Sequence, residues 1–246
     1  MGKSLQQKML SKPAKRVGDT LADIWSLIFG KISLIAGKQN LERQYELELF
    51  KRELEEKLNG ISEDRLKEPD FQVIALTLDA SKCCIFHKEL RELFANLIAS
   101  SLDKELCSQV HPSFADIIKQ MSPLDAKNII LFKKKEYQPI CNYRVHYKDG
   151  SYDDHYKNVF LSNRENQNVD LQSLSMSSLE RLGIISINFG VEANDIKYAG
   201  FEETKEYIEL NKAIEERLIP RARYAEIVKG IVELTPYGKA FVKSCT

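Results

Sequence analysis

The sequence predicts a mainly α-helical fold with a small β component, an α+β chain, and three observations carry that reading. Apolar residues recur three to four positions apart from Val17 to about Met121, the spacing that lines one side of a helix. Between Tyr137 and Tyr156 the period falls to two around Asp149-Gly150, a pair suited to a tight hairpin turn. Towards the C-terminus a helix, the strand Leu182-Gly183-Ile184-Ile185, a returning strand and a Thr235-Pro236 helix follow in the chain order of a winged helix. The chain is therefore divided into an N-terminal helical bundle, residues 1–121, and a winged-helix-like C-terminal domain, residues 122–246, with an inserted β-hairpin at about 143–156.

The first helix carries Val17, Leu21, Ile24, Ile28, Ile32 and Ile35, with Trp25 and Phe29 widening the apolar face, and Lys8, Lys12, Lys15 and Arg16 precede it. Asp23 and Lys31 interrupt the run to Ala36, so it lacks the roughly 20 uninterrupted apolar residues of a spanning helix. No transmembrane segment is expected. Such a face needs cover from the protein itself, from another copy, or from a membrane surface, and Trp25, Ile28 and Phe29 are the contacts it offers.

A second helix, about Asn40 to Leu58, has a narrow stripe of Leu47, Phe50, Leu54 and Leu58, supported by the i,i+4 pairs Glu48–Arg52 and Glu53–Lys57 and stopped by Asn59-Gly60. Two more helices are predicted at about Phe71–Lys82 and Phe86–Lys104. The Cys83-Cys84 pair falls in an apolar helical stretch and reads as core rather than as a redox switch. His111-Pro112 opens a short helix through Phe114, Ile117, Ile118 and Met121. Ser122-Pro123-Leu124-Asp125 starts the next, with Ser suited to the cap, Pro to the first position and Asp to the positive end of the dipole.

If Asp149-Gly150 alone forms the hairpin loop, Lys148 faces Ser151, His146 faces Asp153 and Arg144 faces His155. One sheet face is then polar, and the other, with Tyr143, Val145, Tyr147, Tyr152 and Tyr156, should pack. His146, Asp153 and His155 form the best local candidate for holding a divalent metal or orienting a general base. Cross-strand His–Asp pairs are also ordinary surface chemistry on an exposed sheet, so neither a metal nor a catalytic residue is assigned. Beyond the hairpin, Val169 to Leu182 reads as a helix. Glu202 to Leu218 is helix-like where an ordinary wing has a tight turn, and Ile231 to Leu234 reads as the returning strand.

Thirty-six basic and thirty-six acidic residues cancel, which removes a global electrostatic pull towards nucleic acid or anionic membrane. A DNA contact would need a local patch, for which Lys133, Lys134, Lys135, Arg181, Arg221 and Arg223 are the candidates. The helix ending near Leu182 would be the reader. Its polar residues Gln172, Ser173, Ser175, Ser177, Ser178, Glu180 and Arg181 include a single arginine and an acid, a poor base-reading set. Phosphate-cradling loops of the G-x-x-x-x-G-K-[ST] and G-x-G-x-x-G kinds and the H-E-x-x-H and G-x-S-x-G motifs do not occur. No cofactor and no small-molecule substrate is identified. Five cysteines, an odd set without C-x-x-C spacing, suggest reduced thiols in the cytoplasm.

The segments Glu89–Asp103 (ELRELFANLIASSLD), Val110–Ile129 (VHPSFADIIKQMSPLDAKNI), SLERLGII and LTPYGKAFV together resemble the abortive-infection alpha family of bacterial proteins, over roughly residues 60–242. The long interval after Ile187 departs from a simple wing. The resemblance implies a role in defence against phage and supplies no catalytic residue. The expected partner is another protein, or the chain itself in a homo-oligomer; a DNA-binding regulator and a membrane-surface effector led by residues 17–36 are the alternatives.

Overall fold

The computed structural model describes residues 41–68, 70–192 and 198–246. The amphipathic segment 17–36, with Trp25, Ile28 and Phe29, lies outside the described residues. In chain order the elements are α1 (Leu41–Asn59), α2 (Phe71–Ser81), α3 (Lys88–Ser101), α4 (Phe114–Gln120), α5 (Pro123–Ile130), β1 (Tyr137–Tyr147), β2 (Tyr152–Val159), α6 (Val169–Arg181), β3 (Ile185–Phe189), α7 (Lys205–Glu215), β4 (Ala222–Leu234) and α8 (Pro236–Cys245). The fold is mixed α+β, as the sequence predicts.

Local chemistry sets the helix ends. Asp70 accepts from the backbone N–H of Gln72 at 2.9 Å and so caps α2. Ser122 and Asp125 form a reciprocal capping box at α5, with Pro123 at the first turn. Thr235 caps α8 through Gly238 N–H at 2.9 Å. The cysteine pair matches the core reading at Cys84 only. Helix α2 stops at Ser81, residues 82–86 make a turn, and Cys83 is exposed while Cys84 is buried.

Four antiparallel strands form one sheet in the order β2-β1-β4-β3. The hairpin register differs from the one a two-residue loop would give. Tyr147 N–H donates to the carbonyl of Ser151 at 2.9 Å, leaving Lys148, Asp149 and Gly150 as a three-residue loop with Gly150 at φ +86°. That positive φ suits glycine and shifts the pairing by one residue. Arg144 therefore faces Asp154, Val145 faces Asp153, and His146 faces Tyr152, with further irregularities between Cys141 and Arg144. Tyr152 is thereby turned to the polar face, and of the expected aromatic side Tyr143, Val145, Tyr147 and Tyr156 do pack. Strand β4 is also longer than predicted. The part up to Lys229 carries Arg223, Glu226 and Lys229 and so lacks an apolar alternation.

The main core draws on both sides of residue 121. Leu93, Phe94, Leu97 and Ile98 of α3 belong to the same cluster as Met176, Leu179, Ile184, Phe241 and Cys245. Ser100 donates to the carbonyl of Ser244 at 2.8 Å and Asn96 to that of Cys245 at 3.0 Å, fixing the end of α8 on α3. A smaller core lies beneath the opposite sheet face, where Cys141, Tyr143 and Val145 meet Tyr198, Phe201 and Leu210. There the Tyr143 hydroxyl donates to the Phe201 carbonyl at 2.8 Å and pairs with the Thr204 hydroxyl at 2.7 Å. Burial raises the Tyr143 phenol well above its ordinary pKa. No helix among the described residues is long and apolar enough to cross a membrane.

Candidate functional site

Even-numbered positions of β1 share one sheet face. Ile140 enters the main core, Asn142 is buried, and Arg144 and His146 come progressively towards solvent. Around the last two, β2 contributes Tyr152 and Asp154, and β4 contributes Tyr224 and Glu226 through the pairs His146–Tyr224 and Arg144–Glu226. The result is a connected array. Arg144 holds Asp154 by two N–H donors at 2.6 and 3.1 Å while its guanidinium lies 4.0 Å over the Tyr152 ring. His146 stacks on Tyr224 at 4.6 Å and 15° and contacts Glu226 at 2.6 Å.

The hydrogen bonds from Arg144, aided by Asn142 at 3.2 Å, hold the Asp154 carboxyl below the usual carboxylate range against the opposing effect of burial. Asp154 is thus an ionised acceptor with its partners already in place, unsuited to proton transfer near neutral pH. What the array offers outward is ring surface. Tyr152 and Tyr224 are 58% and 46% exposed, more than the other tyrosines of the sheet, which suits recognition by stacking.

The three hairpin residues singled out from the sequence are not brought together by this register. His146 joins the array, Asp153 lies opposite Val145, and His155 contacts the Tyr156 ring at 5.3 Å. Among the described residues no group of three or more His, Cys, Asp or Glu side chains is placed to hold a metal ion. Sequence reasoning missed Asp154, Tyr224 and Glu226. Two of these lie on the half of β4 that carries no apolar alternation, and Asp154 was displaced by the register shift.

The basic candidates are dispersed. Lys133, Lys134 and Lys135 precede β1, and Lys135 lies 5.0 Å over the Tyr137 ring. Arg221 and Arg223 lie at the start of β4, opposite the other end of β1, which places them roughly 30 Å away at the rise of a strand. Arg181 hydrogen-bonds Gln120 at 3.3 Å.

Helix α6 is fixed by a buried amide network. Asn128 donates to Gln172 at 2.8 Å and to Ser175 at 2.9 Å, and accepts from Asn163 at 2.7 Å. Two of the helix's expected reading groups, Gln172 and Ser175, are consequently buried. The outward side shows Asp170, Leu171, Leu174 and Ser177, with Leu171 48% and Leu174 67% exposed.

Where α4 meets α8, His111 Nδ1 lies 2.6 Å from the Ser113 hydroxyl, which also hydrogen-bonds the Tyr237 hydroxyl. The rings of Phe114 and Tyr237 pack at 5.1 Å and those of Phe114 and Phe241 at 5.2 Å. Ser113 N–H also bonds His111 Nδ1 at 3.2 Å, so this imidazole completes the turn that opens α4.

Fold and surface together define a mixed α+β protein in which a four-stranded antiparallel sheet, clamped to a helical core, exposes an aromatic and ion-paired array. The chain belongs to the abortive infection alpha family, whose model matches residues 42–245. That family points to a bacterial abortive-infection defence role. No curated protein and no solved structure matches the chain. The segments that carry the resemblance are neighbours in space: α3 holds the end of α8, and the start of α8 meets His111-Pro112-Ser113.

Proposed function

We propose that the chain acts in bacterial defence against phage by contacting another protein, or a second copy of itself, through the outward side of α6. The order α6, β3, β4, α8, with β3 and β4 antiparallel, supports a winged-helix reading in which α7, set between β3 and β4, enlarges the wing. In that reading α6 takes the place of the recognition helix. The observation that carries the proposal is the character of its open side, which presents the i,i+3 pair Leu171 and Leu174.

DNA binding receives less support. The exposed charges of α6 are Asp170, Glu180 and Arg181, two acids to one base, and the other basic candidates sit at separate ends of the sheet. The membrane reading rests on residues 17–36 and gains nothing from the described part of the chain. Expressing the chain, alone and with its neighbouring genes, during phage challenge tests the defence role. Reduced phage yield with death of infected cells is expected, and unchanged yield and survival in every combination contradicts it.

A further inference from the structure

The turn between α2 and α3 places two adjacent thiols, Cys83 and Cys84, with their sulfurs 3.4 Å apart. Cys83 is exposed and its sulfur points a hydrogen bond at the Ala80 carbonyl at 3.4 Å; Cys84 is buried, with its sulfur 3.9 Å from the Lys119 carbonyl at the end of α4. An accessible sulfur and a sheltered one are thus held side by side in the turn that follows α2. We propose that Cys83 and Cys84 are a peroxide-reactive dithiol that closes to a vicinal disulfide.

The two sulfurs need to approach by only about 1.4 Å to reach bonding distance. Burial pushes the Cys84 thiol up to about 11, with the neighbouring Cys83 adding to the effect, so Cys84 stays protonated at neutral pH and the exposed Cys83 is the attacking group. The Cys83 thiolate attacks one oxygen of hydrogen peroxide, the O–O bond breaks, and hydroxide leaves Cys83 as the sulfenic acid. The Cys84 sulfur then attacks the Cys83 sulfur, the S–O bond breaks, and the leaving hydroxide takes the Cys84 proton as water. Two thiols are oxidised by one peroxide, which is reduced to two waters. Adjacent residues have Cα atoms about 3.8 Å apart, closer than the separation of ordinary disulfides, which makes the product readily reducible, as a reversible modification requires.

The turn carries more than the sulfurs. The carbonyl of Ile85, the next residue, accepts from Arg91 Nη1 at 3.0 Å, and Arg91 in turn holds Glu46 and Glu53 of α1. Closing the disulfide acts directly on the segment that anchors this ion network.

Reduced full-length protein treated with one equivalent of hydrogen peroxide, unfolded in urea, blocked with iodoacetamide and digested with trypsin tests the proposal, because both cysteines fall in the single peptide Cys83–Lys88. The expected product lacks two hydrogens and carries no alkyl group, reverts on treatment with dithiothreitol, and is absent in Cys83→Ser, a change at an exposed position that leaves the core intact. Cys107, partly exposed, remains alkylated throughout and reports on the reagents. A peptide that keeps two alkyl groups, a Cys83 oxidised to sulfinic or sulfonic acid with Cys84 still alkylated, or a disulfide between chains overturns the proposal.

Discussion

Gly238 lies so close to Ile184 that a Cβ on Gly238 would stand 1.9 Å from the Ile184 carbonyl oxygen. The contact joins the two segments in which the winged-helix order is read. Around it Thr235 N–H donates to the same carbonyl at 3.1 Å and the Thr235 hydroxyl to that of Gly183 at 2.6 Å. The obstacle is backbone, which cannot swing aside as a side chain would. Gly238→Ala is therefore expected to destabilise the protein by about 3 kcal/mol or more, at the upper end of overpacking costs. Urea denaturation followed by circular dichroism measures it, and a loss below about 1 kcal/mol would show that α8 can move off β3.

Arg91 is nearly buried and bonds Glu46, Glu53 and the Ile85 carbonyl, tying α1 to α3. Removing it leaves two carboxylates in a largely dry interface. Arg91→Ala should cost about 3–5 kcal/mol. Arg91→Lys should recover only part of this, because a single ammonium cannot reproduce the forked donor geometry. Adding Glu53→Met to Arg91→Ala should return some stability by removing a stranded charge, and a double-mutant cycle read by denaturation reports the coupling.

The Arg144–Asp154 pair makes stability depend on pH in a definite direction. The folded carboxyl titrates below its ordinary value of about 3.8, so the folded state binds fewer protons in that region. The stabilisation is complete above the unfolded value and is lost as pH falls through the folded one. On acidification from about pH 5 towards 2 the parent should lose about 1 kcal/mol more than Asp154→Asn, a small figure because the pair is partly open to solvent. Thermal melts of both proteins across that range give the difference, and parallel curves would show that the pair contributes nothing.

Elements whose chemistry is local were legible. Ser122-Pro123-Leu124-Asp125 and Thr235-Pro236 place helix starts where the structure has them, because a cap and its partner lie within one turn. The hairpin itself was visible, but its register depended on whether Lys148 joins the loop, a choice between two turn types that Asp149-Gly150 both permits. That single step moved Asp154 in and Asp153 out of the array. Tyr224 and Glu226 come from a strand some 80 residues beyond His146, a pairing that only the assembled sheet specifies. The cysteine turn was obscured because apolar residues on both sides continue the helical spacing, while α2 ends at Ser81.

The proposed contact lies on the outward side of α6. Leu174→Asp places a charge on a leucine that is 67% exposed and supports no core, so stability should stay within about 0.5 kcal/mol of the parent. Phage yield from cells expressing Leu174→Asp or the parent at equal protein levels is the most direct measurement. Protection should be lost in the variant while its melting temperature is unchanged; protection equal to that of the parent would rule out the α6 contact.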